Sequence, residues 1–434
     1  MAHDTGAGVG DLSRFTAEVR AFLDAHAPSA GQEEGKAFAW GTGDDRVAYF
    51  SSDPPEVESR KIQEARDWQR TRYEHGFGWI TGPQEYGGRG LTPVHEMVYH
   101  AIEAEYPVPD TGVLSVVGLG MVGPTILAHA REDVKARWLP AMYRGDAIAC
   151  QLFSEPEAGS DLASVQTRAV RDGDEWILTG QKVWTSVAHH SRLGLALART
   201  DPDAPKHRGI TAFLVDMTLP GVEVRPLRQM TGGADFNEVF LNDVRVPDGH
   251  RLGEVNGGWT VALTTLMNER ATVGGDDGGP AAAALSPERL FAVMRASWTL
   301  DDHGVRARVA ELLADVMATE HLNARAMRGM RAGVTPGPEM SVAKLMYAQN
   351  MTRAAHLITD VFGPRSIADS GEWGTYAWSE LLLATPALRI LGGTEEIMKN
   401  ILAERVLGLP KEPGIDTKSP FRELRRSGSQ GGGA

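Results

Sequence analysis

The apolar residues change their repeat twice along the chain, from a helical period to a strand period and back, and this order of periods restricts the fold more than any single motif. Up to about residue 145 the spacing is helical: Phe15, Val19, Phe22 and Leu23 fall on one face, as do Val134, Trp138, Leu139 and Met142. Breaker clusters at 41–45, 51–55 and 86–90 separate the helices. Between 147 and about 246 the runs become short and rich in Val, Ile, Leu, Phe and Trp, at 167–171, 175–184, 193–199, 210–216, 222–225 and 238–246. Turns such as Asp172-Gly173 and Pro220-Gly221 divide them, the pattern of an antiparallel barrel or sandwich. Helical spacing returns over 261–272, 305–330, 340–362 and 395–407. GGDDGGP at 274–280 reads as a flexible loop, and the polar end of the chain as a tail. The expected class is α+β: a helical domain over 1–145, a β domain over 146–257, a helical bundle over 258–410 and a flexible tail over 411–434. No strand leads through GxGxxG into a helix, which disfavours a Rossmann-type dinucleotide fold.

Composition narrows the function classes. Apolar residues are 42% of 434, enough for a large core. Lys and Arg number 44 against 57 Asp and Glu, and the resulting charge of −13 argues against nucleic acid or an anionic membrane as partner. Cys150 is the single cysteine, which excludes an intrachain disulfide and a cysteine-built zinc site and suits a reducing compartment. The longest apolar run, 113–123, is broken by three glycines and a serine, short of the roughly 18 residues a membrane span needs. Residues 1–11 lack the pattern of a secretion signal. The expectation is a soluble, cytoplasmic protein with no membrane span.

Two segments concentrate polar chemistry in the β zone: CQLFSEPEAGSD (150–161) and GQKVWTS (180–186). The first is equally readable as a strand followed by a polar turn. Both on the rim of one sheet would line one cleft, where a Trp beside hydroxyl residues suits a flat aromatic ligand. These segments resemble the acyl-CoA dehydrogenase flavoproteins, whose pattern runs (L/F)-(T/S)-E-P-x-A-G-S-D and, about twenty residues on, G-x-K-x-W-I-T. PQEYGG (83–88), FNEVFLNDVRVP (236–247), GGTEEI (392–397) and NILAERVLGLP (400–410) extend the resemblance over about 70–410.

The resemblance implies an FAD site. Leu152, Phe153 and Ser154 would lie along the flavin, Gly159 would admit close backbone approach, and Ser160 would donate to the pyrophosphate. Trp184 would flank the ring, Ser186 would reach its N5 region, and Thr185 between them is assigned to the same cofactor site. Thr394 and Glu396 match further FAD contacts, with a helix cap as the plain alternative for Thr394. Asp360 and Gly363 align with a strip that contacts the adenosine of a neighbouring subunit. Glu157 replaces a common glycine, and its side chain is expected in solvent.

Many relatives place the catalytic base immediately before Gly-Thr, and that position is Gly392 here. A minority carry it on the helix opening the C-terminal domain, directly before an arginine, and the chain reads Met267-Asn268-Glu269-Arg270 there. The resemblance therefore assigns Glu269 as base and Arg270 as the group positioning it, against the plain reading of an exposed helical ion pair. An arginine before Phe-Gly that relatives use on FAD is missing from 274–302, where Arg295 is only a loose substitute; TGGAD (231–235) also lacks an arginine. The expected reaction is α,β-dehydrogenation of an acyl-CoA by a homodimer or homotetramer, with an electron-transfer flavoprotein as acceptor. The alternatives are a flavin monooxygenase and a non-catalytic subunit with a paralogous partner. Gly76, Gly78, Gly87, Gly88 and Gly90 would shape a loop over the acyl cleft. His189-His190, the only adjacent histidine pair, has no HExxH and no spaced carboxylate in sequence; it reads as a solvated loop, and no metal is expected.

Overall fold

The computed structural model describes residues 9–27, 40–42, 45–47, 49–50, 53–273, 284–331, 337–411 and 418–424. Five helices come first: α1 (Val9–His26), α2 (Pro55–Glu74), α3 (Pro93–Glu103), α4 (Gly112–His129, more widely wound over Ser115–Val122) and α5 (Glu132–Tyr143). α2 starts where the sequence favours a start: Pro55 supplies a ready-made φ, and Glu56 and Glu58 sit in the first turn against the positive end of the helix dipole. The apolar face of α1 packs on Trp68, Phe77 and Tyr99. Glu103 pins α3 to α2, accepting hydrogen bonds from Trp68 Nε1 at 3.0 Å and Tyr99 OH at 2.8 Å beside Arg72. α4 has the length and apolar composition of a membrane-crossing helix. In this fold Met121, Val122 and Ile126 are buried in the core, and Thr125 meets Thr265 of the last domain at 3.0 Å.

The β domain is one eight-stranded sheet: β1 (Ala149–Leu152), β2 (Arg168–Asp172), β3 (Glu175–Ser186), β4 (Leu193–Arg199), β5 (Ile210–Asp216), β6 (Val222–Leu227), β7 (Phe236–Pro247) and β8 (Arg251–Leu252). The pairing order is β6-β7-β3-β2-β4-β5-β8, and β1 joins β4. The expectation of a wholly antiparallel domain needs one correction, since β1 runs parallel to β4 and β2 touches β4 in parallel at Arg168–Arg199. The intervening β2–β3 hairpin is long enough to act as the crossover that parallel neighbours require. Every residue of β4 is buried, because it has a core on each face. Leu193, Leu195 and Leu197 face the helices, while Ala196 and Ala198 face the interior of the curled sheet.

The last domain holds α6 (Gly258–Val273), α7 (Pro287–Ala296), α8 (His303–Arg331), α9 (Ser341–Phe362), α10 (Ala377–Leu388) and α11 (Glu395–Ile401). Its core gathers Leu312, Met351, Leu357, Trp378 and Leu381. α6 belongs to both ends of the molecule: Val261, Ala262 and Leu266 join the cluster that contains Phe153 and Ile126. The 274–280 loop lies outside the described residues, as do 412–417 and 425–434 of the expected tail. Residues 418–424, in contrast, dock on the β domain. Phe421 N donates to Ala204 O and Arg422 N to Pro202 O, both at 3.0 Å, and the Arg199 guanidinium lies 3.8 Å from the Phe421 ring centre.

Candidate functional site

The two polar segments meet directly. Val183 N donates to Ser154 O at 2.9 Å, joining the end of β3 to the chain leaving β1. The β3–β7 register shifts between Lys182 and Thr185, and Trp184 there holds φ +60°. A bulky residue rarely adopts that conformation, and such strain persists where the surroundings enforce it. The irregularity turns the indole outward: Trp184 is 62% exposed and meets the Phe236 ring edge-on at 6.2 Å. Ser154 and Ser186 are half-buried and Ser160 is exposed, and none of the three hydroxyls has a protein partner among the described residues. A Cβ added to Gly159 would meet no protein atom within 4 Å, so this backbone is open to a ligand. These residues fit an aromatic cofactor with a phosphate-bearing tail, as the resemblance implies for FAD.

Other assigned residues take different positions. Thr185 is 1% exposed, its hydroxyl buried without a partner, while its neighbours Trp184 and Ser186 reach the surface. Its side chain therefore faces the sheet interior, and strand alternation separates it from both neighbours. Leu152 and Phe153 fill the cores beneath the ledge. Glu157 is exposed, as expected, and accepts a hydrogen bond from Gln166 at 2.8 Å.

Beneath the ledge lies a charged brace that sequence reasoning missed. Lys182 is fully buried, and its three N–H groups find Glu155 Oε1 (2.7 Å), Leu197 O (2.8 Å) and Phe153 O (3.1 Å). Glu155 also accepts from Gln166 N and Thr167 N at 2.6 and 2.9 Å. Burial opposes its ionisation, but the Lys182 charge and these donors outweigh burial and hold the carboxyl below its ordinary pKa. Buried Arg199 donates to Ala163 O, Val165 O and Lys206 O, and Lys206 holds Asp161 through both carboxylate oxygens at 2.8 Å. The only sequence signal was a lysine at an inward position of a strand.

Across the domain boundary stands Glu269. α6 is fixed by Thr265–Thr125 at 3.0 Å and Thr264–His129 at 2.8 Å, and Leu266, one turn before Glu269, sits against the core containing Phe153. Glu269 is half-buried. Gly392 has φ +63°, and a Cβ there would stand 3.6 Å from Glu269 Oε1 and 3.9 Å from Lys344 Cε. The position without a carboxylate thus faces the position that has one. Lys344 Nζ donates to Leu388 O (2.9 Å) and Gly393 O (2.7 Å), clamping the Gly392-Gly393 turn. Burial lowers the Lys344 pKa, while Glu395, Glu269 and Glu396 oppose the shift. The Arg270 side chain lies outside the described residues.

Thr394 caps α11, its hydroxyl accepting from Ile397 N at 3.2 Å, and exposed Glu396 lies in the first turn. Glu395 is tied to Arg389 at 2.9 Å. Asp360 pairs with Arg308 at 2.8 Å, and Gly363 ends α9 at φ +53°. Sixteen helical residues place Asp360 about 24 Å from Lys344 along α9, so the structure keeps this pair apart from Glu269 and Gly392. Arg295 is exposed. The histidine pair follows β3, and Glu58 of α2 reaches both rings.

Comparison with known proteins agrees across all three domains. Descriptions of the acyl-CoA dehydrogenase N-terminal, middle and C-terminal domains match residues 51–146, 150–244 and 256–407. The chain is 37% identical to acyl-CoA dehydrogenase IpdE1 of Mycobacterium tuberculosis over 359 residues, 82% of this chain and 91% of that one. It is 42% identical to acyl-CoA dehydrogenase FadE34 of the same organism over 331 residues, 76% of this chain, yet spans only 44% of that protein's length. Among solved structures, the Tcur3481-Tcur3483 steroid ACAD superposes with a TM-score of 0.70 at 26% identity, covering 93% of this chain and 99% of that one. The ChsE4-ChsE5 complex from Mycobacterium tuberculosis gives 0.66 at 26% identity, covering 95% and 100%.

Proposed function

Because the chain belongs to the acyl-CoA dehydrogenase family, we propose that it oxidises the Cα–Cβ bond of an acyl-CoA thioester to the trans-2-enoyl-CoA, with Glu269 as the base. The observation that carries this reading is the 3.6 Å between Glu269 Oε1 and the place a Cβ on residue 392 would occupy. Glu269 takes the proton from Cα, and its half-buried setting limits the water that competes for the carboxyl. When bound, FAD would supply the two-electron oxidising capacity that the removal of hydride from Cβ requires. Trp184, Ser154 and Ser186 would hold its ring system, and Gly159 and Ser160 its pyrophosphate. Lys182 and Arg199 keep that ledge in place from below. Lys344 fixes the Gly392-Gly393 turn opposite the base. A placed carboxyl favours dehydrogenation over oxygen insertion by a flavin monooxygenase.

Electrons would pass on to an electron-transfer flavoprotein. For assembly, the two-chain Tcur3481-Tcur3483 and ChsE4-ChsE5 relatives support pairing with a paralogous chain, in place of the homodimer or homotetramer expected from the sequence. Light scattering on the chain alone and with a co-expressed paralogue decides between these. The steroid enzyme among the relatives makes a steroid-derived acyl-CoA a necessary member of any substrate panel beside straight and branched chains. With the best substrate, Glu269→Gln is expected to retain FAD and lose roughly 10²–10⁴ in ferrocenium-linked turnover. Unchanged turnover would remove Glu269 from the mechanism.

A further inference from the structure

The histidine pair leads to a site that the dehydrogenase reaction does not use. His189 and His190 stand on a short turn (Ala188–His190) directly after β3, entered through Val187 at φ +52°. Glu58 reaches them from the first turn of α2, and its Oε1 lies 3.2 Å from Nε2 of each ring. The two rings are 4.0 Å apart between centres, and the three side chains are between a fifth and a third exposed.

The hydrogen bonding behind His189 decides how its ring is presented. Asn237 is fully buried, and its Nδ2 donates to Thr185 O at 3.0 Å, so its Oδ1 is the atom turned toward His189 Nδ1, at 3.1 Å. An oxygen there requires the hydrogen on Nδ1. In the neutral ring Nε2 then carries a lone pair, and that lone pair faces a carboxylate oxygen. Two electron-rich atoms at 3.2 Å repel unless a cation lies between them. A histidine that donates its far nitrogen to a carbonyl oxygen and turns the other inward is also the usual arrangement around a bound metal.

The spacing agrees with a metal ion. Tetrahedral zinc, with bonds of about 2.0–2.1 Å to nitrogen and oxygen, puts neighbouring ligand atoms roughly 3.3 Å apart. Both Glu58–histidine separations are 3.2 Å, and all three ligand atoms lie within 4.8 Å of one another. Two imidazoles and one carboxylate form a donor set suited to Zn²⁺ and similar divalent ions, with water completing the shell.

We propose that Glu58, His189 and His190 bind one divalent transition-metal ion of the Zn²⁺ class, which ties the N-terminal helical domain to the exit of the strand that carries Trp184 and Ser186. The sequence hides the site because the carboxylate comes from a different domain. The ion acts as a staple, holding α2 against the turn behind the ledge.

The test uses the full-length protein, stripped with chelator and titrated with Zn²⁺ by calorimetry, with bound metal counted after gel filtration. One ion per chain is expected, with a rise of roughly 2–4 °C in the thermal midpoint at a hundredfold excess over Kd. Glu58→Gln and His189→Ala/His190→Ala should each lose stoichiometric binding and that rise. Co²⁺ bound to the unmodified protein should give the visible absorption of a four-coordinate site, a readout that needs no variant to fold. Absence of stoichiometric metal in the unmodified protein would overturn the proposal and leave protonated imidazole as the cation. Binding that survives in folded Glu58→Gln and in the folded double variant would overturn it equally.

Discussion

Gly392 matters for what stands opposite it. Its neighbours are the Glu269 carboxylate and the Lys344 side chain, so three residues from three helices or turns meet at one point. The sequence announced two of them, through a missing carboxylate and a Glu-Arg pair; Lys344 sent no signal, because its acceptors are backbone carbonyls at the end of α10 and in the Gly392-Gly393 turn. Lys344→Met removes a cation beside the base and frees that turn. Losing the positive charge makes proton loss from the neighbouring carboxyl harder, so the acid limb of the pH profile of kcat/KM should move upward, with a fall of about tenfold at neutral pH. A purely structural role for Lys344 would lower activity without moving the limb. Trp184→Ala should weaken FAD retention while leaving the apoprotein's thermal midpoint within about 1 °C, since the indole is mostly in solvent.

Among elements, β3 explains both a success and a failure of sequence reading. Its extent was legible from period and composition, but the irregularity between Lys182 and Thr185, where Trp184 takes φ +60° and turns its indole outward, was not. Lys182 was unreadable for a related reason: its partners come from β4 and from the segment after β1, which only folding brings together. Lys182→Met leaves Glu155 charged and buried, and should cost about 3–5 kcal/mol in urea unfolding along with FAD binding. The α2–α3 contact carries a pH signature. Burial alone would raise Glu103, but Arg72, His100 and Tyr99 prevail and pull its pKa down to about 2. The folded value lies below the ordinary 4.5, so the stabilisation is complete above about pH 4.5 and disappears as pH falls toward 2. It is on the order of 3 kcal/mol at neutral pH. Glu103→Gln should therefore lower the thermal midpoint at pH 7, and the gap to the unmodified protein should close by about pH 2.

At the scale of the whole molecule, the order helix, sheet, helix was legible because each zone keeps one period for about a hundred residues or more. How the zones lock together was not, since it depends on single contacts between distant segments: Thr125 with Thr265, Glu58 with the histidines, Arg199 with Phe421. The last of these straps residues 418–424 across the β domain, and removing everything after residue 411 should lower the thermal midpoint by roughly 2–4 °C and expose the 200–206 loop to protease. Above these contacts stands the central claim, that a carboxyl on α6 removes a proton beside the ledge. It is tested most directly without any oxidation, by incubating the holoprotein in D₂O with an acyl-CoA analogue whose β-methylene is replaced by sulfur and counting deuterium at Cα. The account predicts exchange by the unmodified protein and a rate at least about 10²-fold lower for Glu269→Gln; equal exchange by the two proteins would contradict it.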